Sequence, residues 1–240
     1  TARINTILID IPQCLTLLKE QGWDVSQDSN YKDIIYINSH RGSLEKSDAV
    51  IKGYITFMDK ASMLVARLVN PQPGERVLDC CAAPGGKSMY MAALMDNTGS
   101  LMSCDIHEHK ITLMESNAQR LGISIVQTKV QDATELPSAW KSYFDRVLVD
   151  VPCSGLGILQ KKLDMRWRKD ESTLSELPPL QLAILERAAM TVKEKGYLVY
   201  STCTLNYKEN EDVVEAFLQK HKEFSIVPVG TDFPLKSNNG

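Results

Sequence analysis

From residue 59 onward, short runs rich in Val, Ile and Leu alternate with longer stretches of helical spacing, and this alternation constrains the fold more than any other feature. Strands joined by helix-length crossovers pair in parallel, whereas antiparallel neighbours need only a short hairpin. The runs are Arg76 to Cys80, Leu101 to Cys104, Ile125 to Thr128, Phe144 to Val149, Tyr197 to Ser201 and Phe224 to Val229. The unbroken centre Val147-Leu148-Val149 suits a strand buried on both faces. One helix follows Gly86 with Met91, Leu94 and Met95 on one side, and a second runs from about His109 to a Leu121-Gly122 stop. A third follows Pro178-Pro179, with Leu182, Leu185, Ala189 and Val192 on one face, and closes at Gly196; a fourth carries Val213, Val214, Phe217 and Leu218. These elements predict an α/β, Rossmann-like domain: a mostly parallel sheet with helices on both faces.

Residues 1–56 read differently, as a small N-terminal α+β lobe. A strand is expected from Arg3 to Ile9, a helix with Pro12 in its first turn and a stop at Gly22, and a second strand from Ile34 to Ile37. Such a segment is too small to hold a core alone, so it should lean on the α/β domain of residues 57–240. The chain starts at Thr1, which reads as the interior of something longer. Its 43% hydrophobic and 24% charged residues are ordinary for a globular protein and exclude disorder. No apolar run approaches the roughly 18 residues of a membrane span, so a soluble cytoplasmic protein is expected.

The segment Asp79-Cys80-Cys81-Ala82-Ala83-Pro84-Gly85-Gly86-Lys87 stands where the first parallel strand gives way to a helix. Small residues there let backbone approach a ligand, and helix N-terminal amides favour an anionic group. Asp105 ends the next strand, 19 residues beyond Gly86, where a carboxylate accepts ribose hydroxyls in nucleotide-binding folds. Asp132 follows the third strand, at the adenine end. There is neither a G-x-G-x-x-G cradle nor a G-x-x-x-x-G-K-[ST] loop, so dinucleotide redox and nucleotide hydrolysis lose ground. S-adenosyl-L-methionine, which keeps ribose and adenine but lacks a pyrophosphate, fits better.

Six cysteines are too few for a disulfide scaffold and none forms a C-x-x-C pair, so reduced thiols and no metal are expected. Cys14 and Cys104 read as core residues. Two others sit at strand ends: Asp150-Val151-Pro152-Cys153-Ser154-Gly155 after the fourth and Ser201-Thr202-Cys203-Thr204 after the fifth. In a parallel sheet the carboxyl ends of strands face one crevice, so both thiols should converge on the cofactor. The chemistry that needs this set is methylation of an unreactive pyrimidine carbon. A thiolate adds to carbon 6, carbon 5 then takes the methyl group, and a base removes its proton so that the thiol departs. An acid at the ring edge, Asp150, would stabilise the adduct. Spacing leaves open which cysteine attacks, because DNA cytosine methyltransferases use the Pro-Cys position.

Asp79 to Lys87, Asp150 to Gly157 and Ser201 to Thr204 resemble the motifs of the RNA (cytosine-5) methyltransferases, and the chain is most similar to the RsmB (Sun, Fmu) 16S ribosomal RNA branch. The likeness also covers Gly53 to Met63, Asp164 to Trp167 and Glu209-Asn210-Glu211. It implies attack by Cys203 and elimination aided by Cys153, with Lys87 and Asp150 bordering the target base. It further implies cofactor contacts from Cys81, Ala82, Ala83, Pro84, Gly85, Gly86, Lys87, Asp105, Asp132 and Asp150, and a monomer acting on 16S ribosomal RNA with neither metal nor membrane. Met58, Leu163 and Glu194-Lys195-Gly196 depart from the usual Gln, Pro and Pro-Gly-Gly, and none removes a catalytic group. An N-terminal NusB-like domain and a last sheet strand beyond about Pro234 are expected to lie outside this chain.

The net charge of −3 gives no global field for a polyanion, so RNA needs a local patch. Residues 161–170 carry Lys161, Lys162, Arg166, Arg168 and Lys169 against Asp164 and Asp170, a net +3 around Trp167, and are expected to guide RNA to the pocket. His107 and His109 read as surface residues at a helix start, and Met89, Met91 and Met95 as core filler. The competing readings are the same reaction on transfer RNA, a noncatalytic RNA-binding assembly factor, and, remotely, a nicotinamide dehydrogenase.

Overall fold

The computed structural model describes residues 1–40, 42–158 and 171–229. The first 57 residues build a four-stranded antiparallel sheet, order β2-β3-β1-β4, from β1 (Ala2–Ile4), β2 (Asp24–Gln27), β3 (Ile34–Ser39) and β4 (Ile55–Phe57). Two helices cover it, α1 (Ile11–Glu20), with Pro12 in its first turn, and α2 (Asp48–Ile51). Cys14, Leu18, Trp23, Ile35 and Ile55 fill its core. The strand expected from Arg3 to Ile9 stops at Ile4 because Asn5 turns the chain. Its buried amide donates to Gly53 O at 3.0 Å and Leu121 O at 2.9 Å, ending the ladder and tying the sheet to the rest of the molecule.

The second sheet is all-parallel, order β7-β6-β5-β8-β9, from β5 (Arg76–Asp79), β6 (Ser100–Asp105), β7 (Val126–Val130), β8 (Phe144–Asp150) and β9 (Val192–Ser201). Strand residues alternate between two cores. Val77 and Leu148 pack with α3 (Lys60–Val69), α4 (Gly86–Leu94) and α5 (Glu108–Arg120), while Leu78, Val147 and Val149 pack with α6 (Glu171–Ala189) and α7 (Glu211–Lys220). Met89, Met91 and Met95 belong to the first core, and Cys14 and Cys104 are buried. Strand order reverses between β5 and β8, and at such a switch the carboxyl ends part to leave a ligand crevice. Among the described residues no helix is long and apolar enough to cross a membrane.

The two sheets are joined by polar contacts across buried ground. Arg67 of α3 pairs with Asp33, and Tyr90 of α4 donates to Asp33 Oδ2 at 2.6 Å while accepting from Arg67 Nε at 2.6 Å. Arg120 Nη1 reaches Val50 O at 3.0 Å. Gly53, at φ +73°, passes so close to α5 that a Cβ would stand 2.2 Å from Arg120 O.

Three further sequence expectations are corrected. The helix placed after Pro178-Pro179 already includes both prolines and ends at Ala189. Val192 pairs with Phe144 at the start of β9 rather than extending the helix, and Gly196 lies within that strand. There β8 advances from Phe144 to Arg146 while β9 advances from Val192 to Tyr197, so the intervening residues bulge, with Lys195 at φ 63°. Phe224 to Val229 is not a strand: nothing among the described residues pairs with it, and Ile226 and Val227 are exposed. The basic stretch of residues 161–170, Trp167 included, lies outside the described residues.

Candidate active site

The carboxyl ends of β5, β6, β7, β8 and β9 each deliver polar groups to one side of the sheet. Asp79, the last residue of β5, is buried and accepts from Ser88 Oγ at 2.6 Å; burial pushes its carboxyl up to about 7 against the opposing effects of Ser88 and Lys87. The chain then turns through Cys80 to Gly85 into α4. Gly85, at φ +94°, is required there, since a Cβ would meet Met114 Cγ at 2.8 Å.

Asp105 ends β6, largely buried, with Oδ1 accepting from His107 N at 3.0 Å and lying 3.4 Å from Lys110 Nζ. Asp132 follows β7, its Oδ1 fixed by Thr134 N at 2.8 Å and Thr134 Oγ1 at 2.6 Å. Asp150 ends β8 and is held from both sides, Oδ2 by Lys87 Nζ and Oδ1 by Ser201 Oγ, each at 2.6 Å. A cleft of about 500 Å³ runs between these ends, lined by Cys81, Ala83, Asp105, Asp132, Asp150, Cys153 and Cys203 among others. Of the other expected site residues, Ala82, Pro84, Gly85 and Gly86 shape the turn without lining the cleft, and Lys87 reaches it through Asp150.

Cys153 and Cys203, fifty residues apart, meet with their sulfurs 2.8 Å from one another, and Cys203 N–H donates to Cys153 Sγ at 3.1 Å. The hydrogen bond from Cys203, outweighing burial, pulls the Cys153 thiol down to about 7; the same bond pushes Cys203 up. Either sulfur can donate the bond between them, and the added N–H from the Cys203 backbone is what favours a thiolate at Cys153. This preference could not be read from spacing.

Sequence reasoning missed several groups. Ile106, His107 and Lys110, directly after Asp105, and Gln131, Leu180 and Ile184 also line the cleft; the strand-end placement of Asp105 was the one signal for the first three. Glu209, singled out in the sequence only as part of Glu209-Asn210-Glu211 and without a role, is fully buried beneath the thiols. It accepts from Ser154 N at 2.8 Å, Gln181 Nε2 at 3.0 Å and Asn206 Nδ2 at 3.0 Å.

Residues 66–240 match the family described as 16S rRNA methyltransferase RsmB/F. The chain is 39% identical over 225 residues to a probable ribosomal RNA small subunit methyltransferase B of Bacillus subtilis (strain 168), an alignment covering 93% of this chain and 50% of that protein. It is 37% identical over 187 residues to a 28S rRNA (cytosine(4447)-C(5))-methyltransferase of Homo sapiens, covering 76% of this chain and 23% of that protein. A solved structure of a methyltransferase homolog from Pyrococcus horikoshii shares the fold with a TM-score of 0.81 at 29% identity, covering 91% of this chain and 68% of that one. The chain thus spans about half the length of the Bacillus relative. With the matched segment running from α3 through every strand of the parallel sheet and both thiol loops, the chain belongs to the 16S rRNA methyltransferase RsmB/F family.

Proposed function

We infer that the protein transfers a methyl group from S-adenosylmethionine to carbon 5 of a cytosine in ribosomal RNA, with 16S rRNA as the target. The observation that carries this reading is the meeting of two thiols from separate strand ends, 2.8 Å apart, beside Asp150 at the rim of the cleft. The donor set fits the cofactor. Two carboxylates, Asp105 and Asp132, border the cleft at successive strand ends to accept hydroxyl and amine donors, and the small Ala83 also lines it. When bound, S-adenosylmethionine supplies an electrophilic methyl group.

Cys203 releases its proton, to Cys153 or to solvent, and adds through sulfur to carbon 6 of the base, which makes carbon 5 nucleophilic. Asp150, its orientation held by Lys87 and Ser201, stabilises the adduct at the ring edge. Once methylation is complete and Cys153 has returned its proton to solvent, Cys153 takes the proton from carbon 5. The bond between Cys203 and carbon 6 then breaks, its electrons returning to sulfur.

The test is a denaturing-gel search for a protein–RNA adduct with 16S rRNA and S-adenosylmethionine, using the full protein and its Cys153→Ala and Cys203→Ala variants. An adduct accumulating only in Cys153→Ala is expected. An adduct only in Cys203→Ala would exchange the two roles, and no adduct in any lane, with no methyl transfer by the unmodified protein, overturns the reading.

A further inference from the structure

Each thiol is gripped through the residues on either side of it. Pro152 and Ser154 flank Cys153: Gln181 Nε2 donates to Pro152 O at 3.0 Å, and Ser154 N donates to Glu209 Oε2 at 2.8 Å. Thr202 and Thr204 flank Cys203: Thr202 Oγ1 donates to Asn210 Oδ1 at 2.6 Å, and Asn210 Nδ2 donates to Thr204 O at 3.2 Å. The two grips are one body. Glu209 and Asn210 are consecutive, Gln181 Nε2 also donates to Glu209 Oε2 at 3.0 Å, and the Ser154 and Thr204 hydroxyls meet at 2.7 Å. None of the three gripping residues lines the cleft.

A buried carboxylate costs several kcal/mol in lost hydration unless its oxygens are satisfied, and a core chosen for stability alone would use an apolar group. Here burial raises the Glu209 carboxyl, and the bonds from Ser154, Gln181 and Asn206 more than reverse it, so the group is held as an anion. Charge-assisted bonds of this kind are short and directional. They therefore define where the backbone beside Cys153 lies.

We propose that Glu209, acting through Ser154 and Gln181 with Asn210 as its counterpart at Cys203, is a positioning residue that fixes the two thiols against each other. It touches no reacting atom. Its consequence for turnover rests on the thiol roles given above, whereas its effect on the thiol pair does not.

The experiment uses Glu209→Ala and Glu209→Gln in the full protein, each checked for folding by circular dichroism and for S-adenosylmethionine affinity. The first readout needs no RNA. Diamide takes two electrons and two protons from the thiol pair, leaving a Cys153–Cys203 disulfide whose rate of appearance, followed by mass spectrometry, reports how well the sulfurs are held together. Glu209→Ala is expected to slow this rate about 10-fold or more and to lower kcat comparably, with KM for RNA moving less than about 3-fold. Glu209→Gln keeps a carbonyl oxygen for Ser154 and Gln181 but loses the charge and the acceptor for Asn206, so both should fall between Glu209→Ala and the unmodified protein.

A folded, cofactor-binding Glu209→Ala that forms the disulfide at the unmodified rate overturns the proposal. Should Glu209→Ala not fold, Gln181→Leu carries the same expectation and the same refutation through Pro152. If the unmodified protein methylates no cytosine while Glu209→Ala still slows the disulfide, the functional reading falls and the positioning role stands.

Discussion

Replacing Asp79 by Asn should make the protein more stable at neutral and alkaline pH and leave it unchanged in mild acid. Asp79 closes β5 inside the sheet, where burial raises its carboxyl from the usual 3.8 to about 7. At about 1.4 kcal/mol per pH unit of displacement, the folded state loses up to ~4 kcal/mol from this one group as it ionises. The sign follows from proton counting. Between pH 4 and 7 the folded protein holds a proton on Asp79 that the unfolded chain has released, so unfolding free energy falls as pH rises and levels off above 7. Asn keeps an oxygen for the Ser88 hydroxyl, which now donates at 2.6 Å, and never ionises. Urea denaturation followed by circular dichroism at half-unit steps from pH 4.5 to 8.5 gives both curves. The difference between Asp79→Asn and the unmodified protein should grow from near zero to several kcal/mol by pH 8. Parallel curves would show that Asp79 is solvated in the folded protein and would refute the reasoning.

Three further outcomes are expected. Iodoacetamide should alkylate Cys153 with a midpoint near pH 7, and Cys203→Ala, by removing the sulfur donor, should raise that midpoint and slow alkylation at pH 7 about 10-fold; an unmoved profile contradicts the shared hydrogen bond. Gly53→Ala combines a left-handed backbone with a Cβ 2.2 Å from Arg120 O, so it should cost more than about 2 kcal/mol, read as a drop of several degrees in Tm. Asp105→Ala should weaken S-adenosylmethionine binding about 10-fold or more by calorimetry, with Asp105→Asn intermediate; undiminished affinity would remove Asp105 from the cofactor site.

The parallel strands were legible because a strand buried on both faces is a continuous apolar run, as in Val147-Leu148-Val149, and its end is marked by a polar residue such as Asp150. By contrast β2, Asp24 to Gln27, is mostly exposed and polar; it is a strand because β3 offers it a ladder, and no periodicity records that. Phe224 to Val229 shows the converse: an apolar run with strand composition and no neighbour to pair with among the described residues. The prolines at 178 and 179 misled because proline is common in a first helical turn, whereas here both sit inside α6. The acids and thiols of the site were readable from their strand ends. Glu209 stood out only within the family-like Glu209-Asn210-Glu211, and its role was not legible because its partners stand 55 residues away at Ser154 and 28 away at Gln181.

The bulge at Lys195 and Gly196 sets the phase in which β9 meets β8, and so decides that Ser201 stands opposite Asp150. Side chains along a strand alternate between faces, so adding or removing one residue there would exchange the faces of every position that follows. Tyr200 would take the side now used by Ser201, and Cys203 would be carried about 3.3 Å along the strand axis, out of reach of Cys153. The sheet would still have its hydrogen bonds and much of its apolar contact. A length change far from the cleft would thus yield a folded protein whose two sulfurs never meet, a frameshift written in geometry rather than in codons.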